Sequence, residues 1–531
     1  MKGVEQIRRR NALRYESRNT VEQLVRDINL HGNSRRKAIV ARIGVLLSAI
    51  GADPPPASGT RSAVQTLLDA LRPLDHAGAW LMVAVISGRL PSTEQVLAAV
   101  RYAEADGMVS ALRVAIWSGP TARLLDPGPF PEVRVLRRAV LVDVHHTAEA
   151  SFATGIQRVT RESVRRWVPS HQPTLIGWHS DLRALRELTP AEIRRACWGG
   201  PAVPEPEPGA VVVPLDCTYL LPELATETER TDALRSLGQF SRNRLALIGY
   251  DLVPITVSET SHPAMPAAFA RNLAAMRYAQ TVATISEAAA IEYRGWRRML
   301  AGIGVRGPNV VACILPNEVG TSSPEELAAA EDRLLIGGLP MVLVVGSHEP
   351  RKNHLAILHA AELLWREGLR FSLTFIGGRS WSSDAFFGNL DTLQRNGRPV
   401  ESISTASDAL LWSAYRLARF TVFPSVNEGF GLPVVESITC GTPVITSDFG
   451  AMREIAQDGG ALLVDARDDH ALTDAMRTLL TDDIELGRLT DQAARRPVRT
   501  WDSYAAEVWE LLTAPSSSPP ATIGVSEDDR R

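Results

Sequence analysis

The sequence predicts an α/β protein with two facing Rossmann-like domains, a cleft between them, and a helical N-terminal extension. Three observations carry this. From residue 138 onward, short and fully apolar segments alternate with helical ones, the pattern of parallel strands buried on both faces. These segments fall into two series separated by a weaker stretch at 316–338. Before them, apolar residues recur at three- and four-residue spacing, which is the helical period. Ligands of open α/β sheets sit beyond the C-terminal strand ends, so two facing sheets would hold them in the cleft.

Residues 1–135 read as helical. "TVEQLVRDINL" and "TRSAVQTLLDALRPL" carry the helical spacing, and "ADPPPASG" (52–59) breaks it. "STEQVLAAVRYAEADG" opens with Ser92 as N-cap and ends at Gly107. "WSGPTARLLDPGPFPEV" (117–133) reads as a linker. The first strand series is "RAVLVDVHH" (138–146), "PTLIGW" (173–178), "AVVVPLD" (210–216), "RLALIGYD" (244–251), "TVATIS" (281–286) and "NVVACIL" (309–315), with an amphipathic helix at 154–168. The second is "PMVLVVGS" (340–347), "FSLTFIGG" (371–378), "FTVFPS" (420–425), "TPVITSD" (442–448) and "GALLVD" (460–465). The resulting division is 1–135 for the extension, 136–325 and 326–513 for the two Rossmann-like domains, and 514–531 for a disordered tail.

Of 531 residues, 45% are hydrophobic and the net charge is −3, so a sizeable core is available and nothing points to nucleic acid. The longest uncharged apolar run, "AGAWLMVAVISG" (77–88), is shorter than the ~20 residues of a membrane span. No signal peptide is read at the start. The scattered Cys197, Cys217, Cys313 and Cys440 suit small buried hydrophobes in a reduced cytoplasm. GxxxxGK[ST], HExxH and GxSxG are absent and no GxGxxG follows either first strand, which argues against a P-loop enzyme, a zincin, an α/β-hydrolase and a dehydrogenase.

Two strand ends carry chemistry. In "VFPSVNEGFGLPVVESITCGTPVITSDFG" (422–450), Pro433 suits the first turn of a helix. Glu428 then lies in the loop and Glu436 in the first helical turn. Gly429 and Gly431 let backbone N–H groups approach a ligand, and the helix N-terminus favours an anion. The plainer alternative is that Glu436 complements the helix dipole and Glu428 is solvated. In "VVGSHEPRKNH" (344–354), Gly346 ends a strand and Arg351 and Lys352 follow, a fork and a point charge suited to a diphosphate. A solvated cation pair is the alternative.

The C-terminal half resembles the donor-binding domain of GT-B glycosyltransferases of the large retaining family 4. The family's Glu-x7-Glu motif is matched by Glu428 and Glu436 in "EGFGLPVVE", its Arg-Lys-Asn by Arg351, Lys352 and Asn353, and "GTPVITSD" follows in order. The resemblance covers about 138–512. In the first half, "VDV", "TGIQRVTRE", "YDLVP", "ATIS" and "LPNEV" resemble a subgroup that assembles bacterial surface polysaccharides, often from mannose or rhamnose donors. The resemblance implies a GT-B fold, with the second domain binding a nucleotide sugar and its terminal helix (500–512) crossing back to the first, acceptor-side domain. Glu436 would bind the ribose and Glu428 the donor sugar. Amides of Gly429, Phe430 and Gly431 would contact sugar or phosphate, and Arg351 and Lys352 would neutralise the leaving diphosphate. Gly155, at a strand-to-helix turn, would face the phosphates. Arg158 either reaches them or is an exposed helix arginine.

Asp251 would position the acceptor. A family histidine near this loop has no counterpart here, because Tyr250 precedes the aspartate. His145 or His146 faces the cleft or is structural, and Ser286 is either the family's strand-end serine or a helix N-cap. No cofactor and no metal is expected, since the nucleotide sugar is a co-substrate and no Asp-x-Asp motif occurs. The acceptor would be a growing surface glycan or a lipid-linked one. "YRGWRRML", with Tyr293 and Trp296 among arginines, suits either peripheral contact with the inner membrane face or a solvated helix face. The expected function is a cytoplasmic, metal-independent, retaining hexosyltransferase using mannose or rhamnose. The alternatives are a UDP-sugar-dependent glucosyl- or galactosyltransferase, and a non-catalytic scaffold subunit of a glycan assembly complex.

Overall fold

The structure, a computed structural model, describes residues 20–30, 32–53, 59–117, 130–150, 154–201 and 209–515. The expected linker residues 118–129, the tail from 516 and the basic stretch at 6–18 lie outside the described residues.

The extension contributes helices α1 (Val21–Leu30), α2 (Asn33–Ile50), α3 (Thr60–Ala70), α4 (His76–Ser87), α5 (Thr93–Asp106) and α6 (Met108–Trp117). Ser92 and Gln95 cap α5 reciprocally, the hydroxyl accepting from the Gln95 N–H while the amide oxygen accepts from the Ser92 N–H. The apolar run at 77–88 is α4. It is hydrophobic all round because it is buried all round, from Ala79 to Ser87. Its Trp80, with Leu46 of α2 and Val96 of α5, belongs to one hydrophobic core shared with Val213 and Leu247 of the first sheet.

That sheet holds β1 (Val133–Arg137), β2 (Val140–Asp143), β3 (Thr174–Trp178), β4 (Leu185–Glu187), β5 (Val211–Leu215), β6 (Thr218–Leu221), β7 (Arg244–Gly249), β8 (Thr281–Thr284) and β9 (Asn309–Ala312). Their spatial order is β1-β5-β4-β3-β2-β6-β7-β8-β9. One departure from the all-parallel expectation is β4, antiparallel to both β3 and β5. Its link to β3 is a tight reversal, closed by His179 N–H on the Ala184 carbonyl (2.9 Å), and so short a link reverses the chain by necessity.

The second sheet is wholly parallel: β10 (Met341–Val345), β11 (Ser372–Ile376), β12 (Val400–Ile403), β13 (Phe420–Phe423), β14 (Val444–Ser447) and β15 (Ala461–Val464), in the order β12-β11-β10-β13-β14-β15. The order reverses between β10 and β13. The loops leaving those two strands diverge there and open a crevice, the usual ligand position.

Six further helices frame that crevice and the cleft: α7 (Gly155–His171), α8 (Glu287–Ala301), α9 (His354–Arg366), α10 (Leu432–Thr439), α11 (Gly450–Ala456) and α12 (Trp501–Thr513). The last of them, α12, returns to the first sheet's domain. The indole of Trp167 in α7 donates to the Ala505 carbonyl (2.8 Å), and Trp509 stacks on His171. A second core joins the halves, with Val142 and Ile248 of the first sheet and Phe430, Val434 and Tyr504 of the second part in one cluster.

Candidate active site in the cleft

The β10 and β13 loops deliver their charged side chains to one another. The Glu428 side chain is 11% exposed, with Oε1 accepting from Lys352 Nζ (2.6 Å) and from Ser425 Oγ (2.8 Å), while Oε2 pairs with Arg351. Arg351 also donates to the Asn427 carbonyl (2.9 Å) and to Glu349 (3.1 Å). Burial alone would raise the Glu428 carboxyl, but Arg351 and then Lys352 outweigh it and hold it at about 2. Burial pulls the Lys352 ammonium down, opposed by Glu428. The Lys352 ammonium also lies over the Phe423 ring, 4.6 Å from its centroid.

The β10 loop is braced from beneath. His348 and His354 share a proton between their Nδ1 atoms (2.9 Å), and His348 Nε2 meets Ser402 Oγ (3.0 Å). Burial keeps both imidazoles neutral, holding His348 at about 4 and His354 lower than usual. Gly346, at φ +143°, turns the chain out of β10 in a conformation that L side chains rarely adopt.

At the start of α10, Gly431 takes φ +106°. Among the described residues the N–H groups of Gly429, Phe430 and Gly431 have no hydrogen-bond acceptor, which leaves donors at a helix N-terminus inside the cleft. Phe430 itself is buried in the shared core. Glu436 follows on α10. Its carboxylate pairs with Arg158, reaching across from α7, and accepts from the buried Tyr415 hydroxyl (2.9 Å). Arg158 therefore sits on the ribose-expectant glutamate, between the rings of Trp412 and Trp501. Gly155, at the start of α7, faces Leu432 of α10.

Asp251 approaches from the other sheet. A Cβ on Gly429 would meet the Tyr250 carbonyl at 2.7 Å and the Asp251 carboxylate at 3.1 Å, so only glycine lets the two loops close this far. Burial lifts the Asp251 carboxyl to about 6, Arg351 opposes the rise, and the charge of Glu428 adds to it.

Several cross-cleft contacts had no separate signal in the sequence. Ser286 caps α8, accepting from Ala289 N–H (2.9 Å), and also donates to the Gly429 carbonyl (2.6 Å). Asn427 donates to Glu292 (3.0 Å), which accepts from Leu252 N–H (3.0 Å). Glu454 of α11 caps α8 through the N–H groups of Glu287 and Ala288 (3.0 and 2.8 Å).

His145 and His146 sit at the end of β2. Burial holds His145 at about 4, while His146 bonds Glu227 (2.7 Å) beside the fully buried Arg230. Tyr293 is buried and Trp296 packs on the core, so the aromatics of "YRGWRRML" do not form an outward cluster with its arginines.

Residues 329–496 match the family model of glycosyl transferases group 1. The second half of the chain is thus similar to the glycosyl transferases of group 1. The chain is 26% identical over 347 residues to the serotype-specific mannosyltransferase WbdA of Escherichia coli, covering 60% of this chain and 39% of WbdA. The O-antigen chain mannosyltransferase B of Escherichia coli is 33% identical over 162 residues, 30% of this chain and 42% of that protein. The chain thus spans about two fifths of the length of these relatives. Among solved structures, Anabaena HepE in complex with UDP and glucose superposes with a TM-score of 0.51 at 13% identity, covering 71% of this chain and all of HepE. The fold is GT-B. No helix among the described residues is long and apolar enough to cross a membrane.

Proposed function

We propose that the chain is a retaining, metal-independent hexosyltransferase that moves mannose, or else rhamnose, from a nucleotide sugar to a growing surface or lipid-linked glycan. The observation that carries this reading is the convergence of Glu428, Arg351 and Lys352 in the switch-point crevice, opposite Asp251. The relatives named as mannosyltransferases favour mannose. A UDP-sugar is the alternative donor, because HepE was solved with UDP and glucose.

In this reading the donor diphosphate enters the crevice, takes the free N–H groups at the start of α10, and draws Arg351 and Lys352 from Glu428. The released Glu428 holds the sugar hydroxyls. Charge builds on the diphosphate as the glycosidic bond breaks, and preformed cations lower the barrier most where that charge develops. Asp251 orients the acceptor hydroxyl, whose proton passes to the departing phosphate on the same face. Ribose binding at Glu436 requires Arg158 to turn from it toward the phosphates. We further propose peripheral contact with an anionic membrane through α8, whose exposed face carries Ile291 (60% exposed) and Met299 (74%) with Arg294 and Arg298.

The test is nucleotide release from GDP-mannose, TDP-rhamnose, UDP-glucose and UDP-galactose with EDTA present. Release from one donor is expected, falling by about 100-fold or more in Glu428→Ala and Arg351→Ala. Nucleotide binding without turnover of any donor, acceptor glycans included, would favour a scaffold subunit instead.

A further inference from the structure

Beside the crevice, the second sheet carries another concavity. It lies past the ends of β14 and β15, beside the Glu428 loop, whose Val426 forms part of its wall. Its volume is about 250 Å³, and its walls include Asp448, Phe449, Arg453, Asp465 and Arg467. That is smaller than the ~300–1,000 Å³ of pockets for drug-sized ligands and suits a single sugar ring.

Three features define what it would take. Phe449 presents a ring that is 53% exposed, and no aromatic or cationic partner stacks on it among the described residues. An open aromatic face on a cavity wall is a platform for the C–H face of a pyranose. Around it stand hydrogen-bonding groups with capacity left. Asp448 Oδ1 accepts from Arg453 Nε (2.6 Å) and Asp465 Oδ1 from Arg467 N–H (2.9 Å), while Oδ2 of each carboxylate has no hydrogen bond among the described residues. The Arg467 guanidinium likewise makes no ion pair there. Two carboxylate acceptors and a guanidinium fork match vicinal hydroxyls. The charged walls do not suit an acyl chain.

The cavity floor is wired to the catalytic loop. Ser447 Oγ donates to the Ser425 carbonyl (2.5 Å), and Ser425 Oγ donates to Glu428. On the other side, the Ala466 carbonyl accepts from Asn353 (2.8 Å), the residue after Lys352. A glycan unit bound here would lie beside the Glu428 loop.

We propose that this cavity is a subsite for one neutral sugar unit of the acceptor glycan, stacked on Phe449 and held by Asp448, Asp465 and Arg467. The proposal rests on the glycosyl-transfer reading for its biological role, but binding can be measured without turnover. Saturation-transfer NMR on the full chain, without donor, would use manno-, rhamno- and galacto-oligosaccharides of increasing length as probes. Binding of one series is expected, with transfer strongest to ring C–H protons. Phe449→Ala should weaken it about tenfold, and Phe449→Trp should retain it. In turnover assays, Phe449→Ala should raise the acceptor KM about tenfold and leave the donor KM within about twofold. Equal binding by wild type and Phe449→Ala, or no binding of any series by wild type, overturns the subsite. Oligosaccharide binding lost in Phe449→Ala, without nucleotide release from any donor, keeps the subsite and removes the transferase.

Discussion

At the residue scale, the cleft holds two carboxylates in opposite states, and neighbours alone set the difference. Glu428 has both cations against it and stays ionised down to about 2. Asp251, close by, has burial against its charge and titrates near 6. The sign of the consequence follows from linkage. A carboxyl at about 6 in the folded chain and 3.8 outside it binds its proton more tightly when folded. Its stabilising contribution is therefore full below the unfolded value and lost as pH rises through about 6. Asp251→Asn does not titrate. Relative to wild type it should gain about 1–2 kcal/mol of stability between about pH 4 and pH 7.5, the partial exposure of the group keeping the figure low. Urea midpoints at the two pH values check this. The same variant should lose the acid limb near pH 6 from the kcat/KM profile if ionised Asp251 orients the acceptor. An unchanged limb would assign it to another group. Glu428, Arg351 and Lys352 were legible because each lies on a short motif at a strand end. The partners that set Asp251 apart were not, since nothing local places Glu428 beside a residue of the other sheet.

At the element scale, what could be read was what repeats along the chain. β10, β11, β13 and β14 are mostly apolar, carry no charged residue and are buried on both faces, and stand out as such. β12 ("VESI") is an edge strand with a glutamate and a serine in it. β6 follows β5 after two residues, β4 spans three, and β1 abuts a proline-rich stretch, so none shows a period of its own. The helix α8 shows the other limit. "ATISE" offered an N-cap reading of Ser286, which the structure shows, and the same hydroxyl also donates across the cleft. Ser286→Ala removes a cap and an interdomain hydrogen bond together. The expected cost is about 1–3 kcal/mol, measured as a shift in the denaturant midpoint without a change in m. Ser286→Thr keeps both functions of the hydroxyl and should recover most of it. A loss no larger than a few tenths of a kcal/mol would show that the cross-cleft bond is open in solution.

At the scale of the whole molecule, the question left by the sequence is whether residues 1–135 are an appendage. The packing answers through the core. The bundle has no closed interior of its own, and its buried residues run without a break into Val213, Leu234 and Leu247 of the first sheet's domain. Arg42, buried on α2, donates to the Ile86 carbonyl and to the Pro131 carbonyl, both at 3.0 Å, pinning the bundle to the chain just before β1. His76 stacks on Phe240, which follows Leu237 on the helix Thr228–Phe240. Cutting the chain before β1 would uncover this apolar surface, and a patch well beyond the few hundred Å² that a soluble monomer tolerates drives association. A chain starting at residue 130 is thus expected to aggregate or to lose cooperative thermal unfolding, with nucleotide release falling in proportion to the folded fraction. Co-expression of residues 1–129 as a separate chain should restore part of the soluble yield, because the interface is the core itself. A soluble 130–531 chain that unfolds cooperatively and releases nucleotide at the full rate would mean instead that the bundle serves a partner and not the fold.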